Sequence, residues 1–183
     1  MRAVVALLCA LALASSALAQ QPLLGGDPLV SAVLGRDLGA ARALLLAGNA
    51  PQGRDTNRRP LTVIAVANDD AAMLRLLLEF GANPNETDNL GNSPLVHACA
   101  LGNVEAVEKL IAAGAQINWA NQQGITPLMR AAQVGAIGAI RLLLDAGALV
   151  DLTDYTGRDA ASWADINNHQ RAAELLRGAA THS

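Results

Sequence analysis

Pro28, Leu61, Pro94, Pro127 and Ala160 stand 33 residues apart, and each opens a similar segment. A repeat of that length is too short to bury a core alone, so the chain must stack each unit on its neighbours. Other columns run in register with these marks. Four residues on come Ala32, Ala65, Ala98, Ala131 and Ala164; sixteen on come Leu44, Leu77, Leu110, Leu143 and Leu176. Twenty on come Gly48, Gly81, Gly114 and Gly147, and three before come Gly25, Gly91, Gly124 and Gly157.

The residue types assign a structure to each part of the period. Asp27, Ser93, Thr126 and Asp159 stand where a helix needs a side-chain acceptor for its free N–H groups. Pro28, Pro94 and Pro127 follow at the first helical position, where a missing N–H costs nothing. The Leu column predicts a second helix packed antiparallel against the first, ended by the glycine twenty residues on. Asp88-Asn89-Leu90-Gly91 and Asn121-Gln122-Gln123-Gly124 read as turns. Hydrophobic residues make up 52% of the chain and aromatics 2%, so the core is Ala, Leu, Val and Ile, which suits closely stacked short helices.

Ser93-Pro94-Leu95-Val96-His97-Ala98 and Thr126-Pro127-Leu128-Met129-Arg130-Ala131 resemble the T-P-L-H-x-A signature of ankyrin repeats. The 33-residue period, the recurring glycines and the block Arg141-Leu142-Leu143-Leu144-Asp145-Ala146-Gly147-Ala148 carry the same resemblance over nearly all of the chain after residue 19. It implies an all-α solenoid of about five helix-turn-helix repeats with projecting hairpin-like fingertips. The expected bounds are 25–57, 58–90, 91–123, 124–156 and 157–180, within a repeat domain of 25–180 and a tail of 181–183.

Some positions depart from the pattern. Arg36 and Asn168 replace the glycine found at Gly102 and Gly135, and the last repeat stops at Ser183 without a fingertip, as terminal capping repeats do. Arg58-Arg59-Pro60-Leu61-Thr62 is the weakest opening, with Pro60 at the cap, Arg58 in a glycine column and Thr62 in a leucine column. Local irregularity is expected there.

Residues 1–19 read as an export signal: Arg2 is the charged start, Ala3 to Ala14 an apolar stretch, and Ser15-Ser16-Ala17-Leu18-Ala19 an A-x-A end. Cleavage is expected between Ala19 and Gln20, leaving 20–24 as a short segment before the repeats. The apolar run is shorter than the roughly 20 residues that span a bilayer, so no membrane insertion is expected after cleavage. Cys9 leaves with the signal, and Cys99 then has no disulfide partner within the chain. Loss of Arg2 takes the formal charge from −3 to −4, and no Lys/Arg run follows a phosphate backbone, so nucleic acid is not an expected partner. The expected location is the periplasm of a Gram-negative bacterium or the medium outside.

Chemistry finds little footing. His97 and Cys99, two apart on a helix, point to different faces, and Cys99 reads as a small core residue beside the constant Ala98. His97, His169 and His182 are scattered, without metal-ligand spacing, so neither metal nor cofactor is expected. Asp165 and His169, four apart, suit an exposed ion pair or a helix-end charge. Asn85-Glu86-Thr87 matches the glycosylation acceptor pattern, which matters only in a eukaryotic source.

A repeat protein holds its frame constant and varies the residues that meet a partner. Three residues after each mark come Ser31, Ile64, His97, Arg130 and Trp163; seven after come Gly35, Asn68, Leu101, Val134 and Asn167. By resemblance to ankyrin proteins, this face lines the concave side together with the fingertips. His97, Leu101, Arg130, Val134, Tyr155 and Trp163 then form the candidate protein-binding set, since aromatic and Arg residues with apolar neighbours are typical hot spots. The bland alternatives are that Trp163 covers the open end of the array and that Arg130 is merely solvated. The resemblance implies a monomeric, non-enzymatic binding module for an unidentified protein. An accessory or hydrolase-like activity, or a self-associating spacer, are the alternatives.

Overall fold

The structure is a computed structural model describing residues 27–181; the signal-like segment, its cleavage site, Gly25 and His182 lie outside the described residues. Among the described residues ten helices form five pairs: α1 (Pro28–Leu34) and α2 (Leu38–Leu46), α3 (Leu61–Ala67) and α4 (Ala71–Glu79), α5 (Pro94–Ala100) and α6 (Val104–Ala112), α7 (Pro127–Gln133) and α8 (Ile137–Asp145), α9 (Ala160–Ile166) and α10 (Gln170–Ala180). All five residues at the 33-residue marks are the first residues of first helices. Each first helix packs on its own second helix and on the first helices of neighbouring repeats, and the second helices form a parallel row of contacts, which makes the fold the expected helical solenoid. Among the described residues there is no strand, only an isolated bridge between Arg54 and Pro60.

Side-chain caps explain most helix starts. Asp27, Ser93, Thr126 and Asp159 accept the N–H groups of Leu29, Val96, Met129 and Ser162. Asp37, Asp70 and Asn103 cap second helices in the same way, nine residues after each mark. The glycines after the second helices adopt φ between +84° and +92°. There the N–H of Gly114 reaches Ile111 O and that of Ala115 reaches Leu110 O, the paired bonds that close a helix through a left-handed residue.

The Ala column is buried in all five repeats, and the Leu column is fully buried from Leu77 to Leu176. Leu44 alone is half-buried, because among the described residues no earlier repeat packs on α1 and α2. The last repeat ends differently: Ala180 holds the glycine position, α10 runs to eleven residues, and its outer side carries exposed Gln170, Arg171, Glu174 and Arg177. That polar face suits a terminal cap.

The irregular joint falls where the sequence placed it. Pro60 precedes α3 without a side-chain cap. Arg58 is forced to φ 60°, matching Gly91, Gly124 and Gly157, which lie at 78° to 83°. An L side chain in this region costs about 1 kcal/mol, so Arg58→Gly is expected to stabilise the protein by about 0.5–1 kcal/mol, read as a higher urea midpoint. Thr62 is 3% exposed, and its Oγ1 is the one buried side-chain polar atom without a hydrogen-bond partner among the described residues. Leu29, Leu95 and Leu128 hold that position in other repeats. Thr62→Val removes the stranded hydroxyl at nearly constant volume and is expected to add about 1 kcal/mol, measured by the same unfolding curve.

Candidate protein-binding face

The connection from each second helix to the next first helix is built on one side chain, six residues before the mark. Asp55, Asp88, Asn121 and Asp154 each use Oδ1 to accept two backbone N–H groups, those two and four residues on. This fixes the fingertip turn and leaves the second side-chain atom to be satisfied from elsewhere. Asp55 Oδ2 accepts from Arg59 Nε at 2.8 Å, and Asn121 Nδ2 donates to Asn92 Oδ1 at 2.7 Å.

Two of the candidate residues complete this arrangement. His97 Nε2 lies 2.8 Å from Asp88 Oδ2, and Trp163 Nε1 donates to Asp154 Oδ2 at 3.1 Å. Both sit three residues into a first helix, so the same column braces the turn that precedes it. Burial opposes the charge of Asp88 and of Asp154, but the hydrogen bonds converging on each hold its pKa below the usual carboxylate range. Asp55, with Arg59, behaves alike.

Arg130 holds the same column one repeat before Trp163. Its Nη1 donates to Gln133 Oε1 at 2.7 Å, its side chain is half-buried, and burial pushes its pKa down. Leu101 and Val134 cap α5 and α7, one turn beyond His97 and Arg130, and remain 56% and 40% exposed. Tyr155 is 79% exposed at the last fingertip, where its N–H donates to Gln123 O. Gly124 permits that approach: a Cβ there would lie 2.9 Å from Tyr155 Cδ1 and 3.0 Å from its backbone N.

The six residues do not share one pocket. Leu101 lines a hollow of about 490 Å³ with Ala67, Ala71 and Asn103. Tyr155 and Trp163 line another of about 340 Å³ with Gln122, Gln123 and Arg158, whose guanidinium sits 5.5 Å from the Trp163 ring centre. Trp163 is thus half-buried against the core and bonded to its own finger.

Other polar residues have structural partners. Cys99 is fully buried, and burial raises its thiol pKa strongly. Asp165 pairs with Arg177. His169 instead follows the end of α9 and precedes α10, packed where a side chain on Gly135 would stand, so it does not share the Asp165 helix. Asn85 donates Nδ2 to Gly114 O and accepts Gln116 N–H, tying its finger to the next repeat; Asn118 repeats this with Gly147 and Leu149. No group of three or more His, Cys, Asp or Glu positioned to hold a metal ion occurs among the described residues.

Sequence reasoning missed the turn anchors, although Asp55, Asp88, Asn121 and Asp154 are themselves 33 residues apart. It also passed over Trp119, 40% exposed, whose Nε1 donates to Gly91 O at 2.8 Å and ties adjacent fingers together. Trp119 belongs to no repeating column, so no sequence signal singled it out.

Stacked helical pairs, projecting turns and an open inner face define a repeat scaffold of the binding type. A family model of ankyrin repeats in three copies matches residues 29–121 and again 100–182, and the chain belongs to the ankyrin-repeat family. A search of curated proteins finds no match. Members of this family are typically non-enzymatic modules for protein–protein interaction. No helix among the described residues is long and apolar enough to cross a membrane.

Proposed function

We propose that this chain acts after export, as a scaffold that docks on a partner protein through the inner face of its first helices and its fingertips. The observation that carries this reading is the exposure of Leu101 and Val134 in consecutive repeats, beside half-buried Arg130 and highly exposed Tyr155. Exposed apolar side chains scattered singly carry little meaning, but apolar anchors next to Arg and aromatic residues have the composition of an interface centre. Export is supported by the charged start, apolar stretch and A-x-A end of residues 1–19.

His97 and Trp163 contribute to this face by holding the fingers in place through Asp88 and Asp154, besides offering their own surfaces. Leu101 and Val134 bear the docking contact and no turn. Leu101→Glu combined with Val134→Glu is expected to leave the fold intact and to weaken partner retention at least about tenfold, since each buries a charge against apolar surface. The check is capture from an envelope extract by the mature protein and by the folded double variant. Equal capture by both would remove these residues from the interface.

A further inference from the structure

Arg158 lies over the Trp163 ring, and Arg130 holds the same column as Trp163 one repeat earlier. Among the described residues neither has a carboxylate within ion-pair reach. Arg42, Arg58, Arg141 and Arg171 likewise have none, but these four and Arg158 are exposed, whereas Arg130 is half-buried. Burial of Arg130 opposes its charge and lowers its pKa.

The nearby acids are occupied elsewhere. Asp88 and Asp154 are held by their turns and by His97 and Trp163, Asp159 caps α9, and Asp165 pairs with Arg177. Asp151 holds the column of Asn85 and Asn118, which reaches toward the ends of second helices rather than the inner face. The hollow beside Trp163 is bounded by Arg158, the amides of Gln122 and Gln123, the apolar surfaces of Tyr155 and Ile125, and Asp154, whose carboxylate oxygens already accept bonds from its own turn and from the Trp163 indole.

We infer that the partner presents an acidic segment, with a carboxylate taken by Arg130 or Arg158 and an adjacent apolar or aromatic side chain laid against Tyr155 and Trp163. The inference rests on the docking reading above and adds the partner's chemistry to it. A half-buried guanidinium has already lost part of its hydration and keeps three or more N–H donors for a ligand, so a carboxylate fits it in fork geometry. The chain carries a net charge of −3, which makes general attraction of acidic partners weak and leaves selection to individual cations on this face.

The test is selection of random ten-residue peptides on the mature protein, followed by affinity measurement of the enriched peptides. Enrichment of Asp or Glu beside a large apolar residue is expected. Arg130→Gln should weaken those peptides about tenfold, Arg130→Lys less, and Arg141→Gln, on the exposed side of α8, not at all. Raising the salt concentration should weaken binding further. Circular dichroism establishes that each variant is folded. Enriched peptides without acidic residues, lost with Leu101→Glu/Val134→Glu but unchanged by Arg130→Gln, would overturn the acidic-segment inference while leaving the docking face standing. Peptides indifferent to every inner-face variant, or no enrichment, would overturn both.

Discussion

Leu110→Ala is expected to destabilise the protein by about 3 kcal/mol, the largest effect of any single change in the Leu column. Leu110 is fully buried in α6, at the centre of the array, between the second helices of the repeats before and after it. Truncation removes the transfer free energy of its side chain and leaves a cavity that two packed neighbours limit from collapsing. In a solenoid, stability is close to a sum of repeat terms and nearest-neighbour interfaces. A defect in the third repeat therefore weakens two interfaces, whereas Leu44→Ala, at a half-buried position with one neighbour, should cost about 1 kcal/mol or less. Urea unfolding of both variants beside the native protein checks the contrast. Equal shifts would mean that the central and terminal repeats are not coupled as their contacts imply.

Asp154→Ala should cost about 2–3 kcal/mol. The carboxylate accepts the N–H groups of Thr156 and Arg158, the Thr156 hydroxyl and the indole N–H of Trp163. Removing it releases the last fingertip and strands donors around a half-buried ring. Asp154→Asn should cost less, because Asn121 performs the same turn with an amide oxygen. The two variants also separate in pH dependence. Burial raises the pKa of Asp55, Asp88 and Asp154, and the bonds they accept lower it further than burial raises it, so each folded pKa is depressed. Stability from a depressed carboxylate is present above its unfolded pKa of about 3.9 and is lost as pH falls through the folded value. The native protein should therefore lose stability below about pH 4, and Asp154→Asn should lose less over the same interval. Thermal melts at pH 7 and pH 3 measure the difference.

The frame was legible because its physical requirements recur every 33 residues. Proline at the first helical position, alanine where helices approach, leucine in the second helix and glycine at its end each solve one geometric problem, three to five times over. Even the defect at Arg58, Pro60 and Thr62 showed as a break in those columns, and the structure gives it a positive φ, an absent cap and a stranded hydroxyl. The inner face was legible only in part. Spacing placed His97, Arg130 and Trp163 in one column, but not the acceptors nine residues upstream that hold His97 and Trp163 to the fingers. Those bonds depend on how each turn folds back over its helix, which a linear period does not contain. Arg130 differs from them because its repeat has Asn121 where the others have aspartate, so the guanidinium turns to Gln133 instead.

Site-specific photo-crosslinking in the native envelope tests the central claim most directly. A photoreactive residue placed at Leu101 or Val134 should give a discrete adduct with one partner protein, and the same residue at Arg141 on α8 should give none. Adducts from position 141 with none from 101 or 134 would contradict docking through the inner face.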